Sequence, residues 1–164
     1  MDEQHSDLIP GFTKVLEDFE SVIKKVPEGG LDWSEKEGEW SIRQIIHHVA
    51  DDCNVYAIVL ERTLVTPGCE VRFGSYPGNE VWVESLDYDK RPVTAALKLM
   101  HAHRAFLAEL IGHFPDRWEN TAEFLNVEGE KIAERSIREM VTMLTDHMQE
   151  HVNTIETILA AHKN

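Results

Sequence analysis

Two histidines near the end of the chain have the type and spacing that metal chemistry needs. His147 and His151 lie in the run D-H-M-Q-E-H. Four residues is slightly more than one helical turn, so on a helix both imidazoles project from the same face. Two such side chains can bind one divalent metal ion. The alternative is that both lie at the rim of an apolar stripe, in contact with solvent, and the pair alone leaves both interpretations open.

The pair is not the H-E-x-x-H motif of metalloproteases. In that motif a glutamate follows the first histidine and acts as the general base. Here the residue after His147 is Met148. A catalytic role for the pair would therefore need further groups from elsewhere in the chain.

The two histidines lie in a segment with strong helical periodicity, residues 136–159. Ser136 and Glu139 have the spacing of a capping box, which predicts the start of the helix. Apolar residues recur at intervals of three and four and form one stripe: Ile137, Met140, Val141, Leu144, Met148, Val152, Ile155, Ile158 and Leu159. This helix would present both imidazoles on or beside its buried stripe.

A second helix is predicted over Trp40 to Leu64. Ser41 and Gln44 form a capping box, and Trp40 and Ile45 occupy the two positions of a hydrophobic staple. His48 falls on one edge of the apolar face, whereas His47 points about 100° away around the helix. The second helix thus supplies one further imidazole close to a buried face.

The remaining segments complete an all-α prediction. Amphipathic periodicity predicts helices over residues 6–26 and from Pro92 to about Phe114, and a short helix over residues 78–86. Residues 65–90 form a connector rich in Gly, Pro and aromatic side chains. This composition suggests that the connector packs over another part of the protein or over a ligand. Residues 116–135 form a polar connector with room for a short extended pair. Four long helices and no convincing strand pattern indicate a four-helix bundle with long connectors, as one domain over residues 1–164.

Composition excludes several classes of partner. The 164 residues carry 16 basic and 30 acidic side chains, a formal net charge of −14. That excess argues against nucleic acid and against an anionic membrane surface, since both require a basic face. No apolar run is long enough to span a membrane, and the first residues, M-D-E-Q-H-S-D, do not resemble a signal peptide. We therefore expect a cytoplasmic protein with a small-molecule substrate.

Three histidines from two helices form the candidate site. Three imidazole nitrogens would leave a fourth position on an ion for water or substrate, as in catalytic rather than structural zinc sites. Candidate groups for orienting these ligands are Asp51, Asp52 and Glu150. Asp52 follows His48 by four residues and can share its face, whereas Glu150 points away from the adjacent His151. Each acid is equally consistent with an ordinary solvated position.

Arg104 and His103 on the third long helix are further candidates. Arg104 could bind an anionic substrate group through two parallel hydrogen bonds, or belong to a surface ion pair. His103 could line the site, although a hydrogen-bonded histidine in the core or at its rim is the more common case.

The sequence resembles a known family over nearly its whole length. The segment W-S-I-R-Q-I-I-H-H-V-A-D, followed about a hundred residues later by D-H-M-Q-E-H, is similar to the DinB superfamily. The closest branch is the YfiT-like proteins, which include bacillithiol transferases and proteins classed as metal-dependent hydrolases. The resemblance includes the aromatic connector with Tyr76 and Trp82, which become candidate substrate contacts. That connector reads Y-P-G-N-E-V-W, whereas the branch usually has Y-D-x-x-x-W.

The resemblance implies a site, a cofactor and two possible chemistries. It implies a four-helix bundle in which His48, His147 and His151 bind one divalent metal ion, with zinc or nickel expected. Such an ion can lower the pKa of a bound water to about 7 or hold a thiol as the thiolate. The implied activities are therefore thiol S-transfer, with a bacillithiol-like cofactor, and hydrolysis of a small substrate. A non-catalytic bundle that binds metal or a small ligand in a stress response is the alternative. The resemblance also implies a homodimer.

Overall fold

The computed structural model describes residues 8–72 and 79–162. Four long helices dominate it: α1 (Leu8–Ile23), α2 (Ile42–Val65), α4 (Thr94–His113) and α5 (Ile137–Ala161). A short helix, α3 (Asn79–Ser85), lies between α2 and α4. Helix α1 packs on α5 and α4, and α2 packs on α4 and α5. The predicted four-helix arrangement is thus confirmed for the long helices.

The all-α prediction was wrong for the connectors, because they contribute a three-stranded sheet. Strand β1 (Cys69–Arg72) pairs in parallel with β2 (Thr121–Leu125), and β2 pairs antiparallel with β3 (Lys131–Ser136). The strand order is β1-β2-β3. The strands are short, and β3 is largely exposed and rich in charge, so their sequences carry little of the apolar alternation by which strands are recognised.

Both predicted capping boxes are present. The Ser41 and Ser136 side chains accept hydrogen bonds from the backbone N–H groups of Gln44 and Glu139, whose side chains accept from the serine N–H groups in return. Each cap stabilises its helix by about 1 kcal/mol. Helix α2 therefore begins at Ile42 and α5 at Ile137, one residue after each cap.

Other predicted boundaries differ from the structure by up to three residues. Helix α1 ends at Ile23, and the chain continues to Val26 in tight turns. Helix α4 begins at Thr94, two residues after Pro92, and the short helix covers Asn79–Ser85. Residues 6, 7 and 78 of the predicted helices lie outside the described residues. Turns that continue an amphipathic stripe explain the longer prediction for α1.

The sheet fixes the start of α5. The Ile137 N–H donates to the Asn120 carbonyl at 3.0 Å, and the Arg138 N–H donates to the Trp118 carbonyl at 3.1 Å. These bonds use backbone donors that the first turn of a helix leaves unpaired. Trp118 is buried and its indole N–H donates to the carbonyl of Ile111 on α4. The helix that bears two of the three candidate histidines is thereby anchored to the connector and to α4.

Candidate metal centre

His48 is placed by the well-defined start of α2. It lies nearly two turns beyond the cap, on the side of α2 that faces α5, and it is buried. The ring of Trp40, just before the cap, packs against the His48 ring in an edge-on arrangement with centroids 4.9 Å apart. Burial on one side and the indole on the other restrict the orientation of the imidazole.

His147 and His151 approach His48 from α5. Their spacing of four residues brings their Nε2 atoms to 3.1 Å from each other, as the helical geometry predicted. Met148 and Val152, the residues that follow each of them, are buried in the core and set the rotation of α5. The two imidazoles therefore lie at the edge of the buried stripe and face α2.

The three imidazoles converge through the same ring atom. The Nε2 atoms of His48 and His147 are 3.4 Å apart, and one ligand atom from each of the three histidines lies within 4.8 Å of the others. Nitrogen ligands at about 2.0–2.1 Å from one tetrahedral ion would be about 3.3 Å from each other. The observed separations between His147 and its two neighbours match that value. Three imidazoles suit zinc, nickel, copper or iron, so the donor set fits a divalent transition metal.

The environment keeps His48 and His151 neutral. Burial lowers the pKa of His48, and burial together with the neighbouring His147 and His48 lowers the pKa of His151 to about 3. A neutral imidazole has a lone pair on one nitrogen, which a metal ligand requires. At neutral pH the lone pairs are therefore available without the loss of a proton.

Asp52 contacts two of the three histidines. Its Oδ2 atom lies 3.2 Å from Nδ1 of His147 and 3.3 Å from Nε2 of His48. A carboxylate that accepts a hydrogen bond from Nδ1–H fixes the tautomer in which Nε2 bears the lone pair. Asp52 thus occupies the orienting position that its spacing from His48 suggested, and it is partly exposed to the adjacent cavity.

The histidines adjoin a cavity of about 700 Å³ between α2, α5 and the sheet. His48 and His147 form part of its wall. The other lining residues come mainly from α2 and the first half of α5: Asp52, Tyr56, Asn79, Arg135, Arg138, Glu139, Thr142, Met143, Leu144, Asp146 and Glu150. The cavity is large enough for a small-molecule ligand.

The other two candidate acids have different surroundings. Glu150 lines the cavity although it is exposed. Asp51 accepts a hydrogen bond from the hydroxyl of Tyr88, and burial and that bond raise the pKa of Tyr88. Asp51 therefore connects α2 to the chain before α4, whereas the adjacent Asp52 contacts the histidines.

The candidate substrate contacts fall in three different places. Arg104 is buried, and its guanidinium donates to the carbonyls of Phe12 and Leu144 at 3.1 and 2.8 Å. It therefore bridges α1 and α5 inside the bundle and is not part of the cavity wall. Trp82 is half-buried on α3, and Asn79 is the residue of that helix that lines the cavity. Tyr76 lies outside the described residues.

His47 and His103 lie outside the cluster. The Nε2 atom of His47 lies 3.3 Å from the carbonyl oxygen of Arg91, and burial lowers the pKa of His47. Its ring also contacts Tyr88. The Nδ1 atom of His103 is buried and has no hydrogen-bond partner among the described residues. The preference for His48 over His47 at the cluster agrees with this geometry.

Sequence reasoning missed Tyr56, Arg135 and Arg138 as parts of the site. Tyr56 follows Asp52 by four residues and His48 by eight, so the stripe His48–Asp52–Tyr56 was available from helical spacing. Arg135 and Arg138 carry no comparable signal. They reach the cavity because β3 leads directly into α5. For residues 116–135 we predicted room for a short extended pair, which β2 and β3 form, but not its bounds.

Fold and site together define a class of protein. It is a helical bundle in which two facing helices bring three histidines together, two of them in the wall of an open cavity. The chain belongs to the DinB superfamily, whose family model matches residues 12–155. The resemblance of the sequence to that superfamily is thus confirmed.

A curated relative and a solved structure agree with this assignment. A protein of Bacillus pumilus (strain SAFR-032) named "Putative metal-dependent hydrolase" is 26% identical over 117 residues. The match covers 67% of this chain and 61% of that relative, so it leaves more than a third of the relative unmatched. The structure of YfiT from Bacillus subtilis is described as "a probable metal-dependent hydrolase with an unusual four-helix bundle topology". It matches with a TM-score of 0.79 at 18% identity, over 99% of this chain and 88% of that one, which shows a shared fold.

The described helices include none with the length and apolar character that crossing a membrane requires. This agrees with the sequence, in which the apolar residues of each long helix are interrupted by charged ones.

Proposed function

We propose that this protein is a metal-dependent enzyme that activates a small nucleophile for attack on an electrophilic substrate. His48, His147 and His151 would hold one divalent transition metal, zinc or nickel, and the cavity would receive the substrate. The observation that carries the proposal is the convergence of three Nε2 atoms from two helices, with His48 and His147 in the wall of that cavity. Four-coordinate zinc with three protein ligands retains one position for a reactant.

The ion would act as a Lewis acid and lower the pKa of a thiol or water bound to it. The residues of the chain supply the rest. The three histidines would hold the ion beside the cavity, and the Asp52 carboxylate, which lies 3.2 Å from Nδ1 of His147 and 3.3 Å from Nε2 of His48, would accept the proton that the nucleophile loses. Among the described residues, Asp52 is the carboxylate for which contact with two of these histidines is observed.

Thiol transfer is the chemistry that this arrangement favours. A free thiol has a pKa of about 8.5, against about 15.7 for bulk water. A much smaller lowering of the pKa therefore makes a thiol nucleophilic at neutral pH. The site has no glutamate after His147, where metalloproteases place a dedicated base; Met148 is buried there instead. We therefore rank S-transfer from a low-molecular-weight thiol first. Hydrolysis is the second candidate, favoured by the name of the curated relative.

The proposal includes the setting of the reaction. We place the enzyme in the cytoplasm as single-domain chains, as the sequence led us to expect, and propose a homodimer on the basis of the family resemblance alone. The formal charge of −14 supports a small-molecule substrate over nucleic acid.

A thiol-consumption assay tests the proposed activity. Protein loaded with zinc or nickel is incubated with a low-molecular-weight thiol and an alkyl halide, and the loss of free thiol is followed over time. We expect metal-dependent consumption that His147→Ala reduces at least about 100-fold, since general acid–base and metal contributions are of that size or larger. The His47→Ala variant is the matched control and should retain most of the rate, because His47 lies outside the cluster.

The same assay can reject the enzyme. If the loaded protein consumes no thiol and hydrolyses no member of an ester and amide panel, the non-catalytic metal-binding or ligand-binding bundle is the better description. Thiol consumption that is equal with and without metal would also contradict the proposal.

A further inference from the structure

The cavity beside the histidines has two chemically different ends. At one end lie His48, His147 and Asp52. At the other end, where β3 meets α5, lie Arg135 and Arg138. A ligand that fills the cavity would therefore meet the proposed reaction centre at one end and cationic side chains at the other.

Helical geometry gives the distance between the two ends. Helices α2 and α5 are antiparallel here, because His48 faces His147 whereas Tyr56 faces Met143. Tyr56 lies eight residues after His48, about 12 Å along the helix at about 1.5 Å per residue. Arg135 and Tyr56 line the same cavity, and Arg135 lies two residues before α5 begins. The rise from Ile137 to His147 is about 15 Å, so the cationic side chain lies on the order of 10–15 Å from the histidines.

Of the two arginines, Arg135 is the one whose guanidinium N–H groups are available to bind a ligand. Arg138 already donates to Glu119 at 2.7 Å and stacks over the Trp118 ring. Arg135 is exposed, and within residues 8–72 and 79–162 no carboxylate lies within ion-pair distance of it. A guanidinium presents five N–H donors in a planar fork that matches a carboxylate.

Acidic residues determine which end an anion can occupy. Asp146 and Glu150 are exposed on the cavity wall close to the histidines and repel an anion there. Glu139 lies near the arginines, but its carboxylate accepts the Ser136 N–H at 2.7 Å as part of the cap. A monoanion is better tolerated than a phosphate dianion in a cavity with these acids and in a chain of charge −14.

We propose that the ligand whose reacting atom binds at the three histidines carries a carboxylate that Arg135 binds on the order of 10–15 Å away. The inference rests on the proposed function, because the reacting atom is placed at the three histidines. Arg135 then acts as a specificity residue that selects an elongated molecule with a terminal carboxylate. A neutral molecule of the same length lacks this contact.

Two thiols of equal length test the inference through binding alone. Cobalt(II) is loaded into the protein, and coordination of a thiol is followed by the sulfur-to-cobalt charge-transfer absorption. The probes are ω-mercaptooctanoate and ω-mercaptooctanol, which differ in the group at the far end of the chain. We expect the carboxylate probe to bind about fivefold more tightly, which is the upper range for one solvent-exposed ion pair. The preference should disappear in Arg135→Gln.

The control variant is Arg62→Gln, which removes the same charge from an exposed position on α2 that does not line the cavity. It should keep the full preference. Equal binding of the two probes to the unaltered protein, or a preference that survives in Arg135→Gln, would overturn the inference and leave the proposed function intact. A cobalt spectrum that neither thiol changes would overturn thiol transfer as the first-ranked chemistry, and the inference with it.

Discussion

Replacing His147 with alanine is expected to abolish tight binding of zinc or nickel. The Nε2 atom of His147 lies 3.4 Å from that of His48 and 3.1 Å from that of His151, so its loss separates the two remaining ligands. Removing a residue that merely supports a ligand reduces metal affinity about 10- to 100-fold. The loss of a ligand itself should exceed that range. Competition titrations with a chromophoric chelator measure the change.

Two controls separate ligand loss from damage to the fold. His147 is about one-third exposed, with 34% of its side chain accessible, so truncation leaves little empty space in the core. The metal-free variant should therefore melt within a few degrees of the unaltered protein. His47→Ala should retain the metal, although it loses a contact with the Arg91 carbonyl. If His147→Ala binds zinc as tightly as the unaltered protein, His147 is not a ligand.

Replacing Asp52 with alanine should have the second-largest effect. The carboxylate lies 3.2 Å from Nδ1 of His147 and sets which nitrogen of that ring bears the lone pair. Without it, the imidazole can adopt either tautomer and rotate more freely. We expect metal affinity to fall about 10- to 100-fold, measured in the same chelator competition.

Asp51 provides the matched control for that change. It is the adjacent residue and of the same type, but its carboxylate accepts from Tyr88 and is not observed in contact with the three histidines. Asp51→Ala should change metal affinity by less than about threefold, because it leaves the ligands and their partner intact. It should instead reduce thermal stability, since Tyr88 is buried and would lose its hydrogen-bond acceptor. Equal losses of metal affinity in the two variants would contradict the role given to Asp52.

The long helices of the site were predictable because their signals are local. Capping boxes at Ser41 and Ser136 and apolar residues at helical spacing are properties of a few consecutive turns. The resulting start points at Ile42 and Ile137 place His48, His147 and His151 in their correct positions along α2 and α5. Rotation about each helix axis follows from the same apolar stripes. The pairing of the two helices rested on the histidines beside their buried faces and on the family resemblance, and not on periodicity.

The sheet and the far end of the cavity were not predictable for the opposite reason. Cys69 pairs with Ala122, more than fifty residues away, and such pairing leaves no trace in either short segment. Arg135 lines the cavity because β3 lies on β2 and continues into α5. Its position therefore depends on contacts that local sequence does not encode. Arg104 was misjudged in the other direction. On its helix it resembled a surface residue, but its guanidinium lies in the core and donates to two backbone carbonyls.

Anomalous diffraction at the zinc or nickel absorption edge, from crystals of the metal-loaded protein, tests the central claim most directly. The account predicts one strong peak between the two helices, with the Nε2 atoms of His48, His147 and His151 each about 2.0–2.1 Å away. A peak elsewhere on the molecule, or no peak in crystals that contain stoichiometric metal, would contradict it.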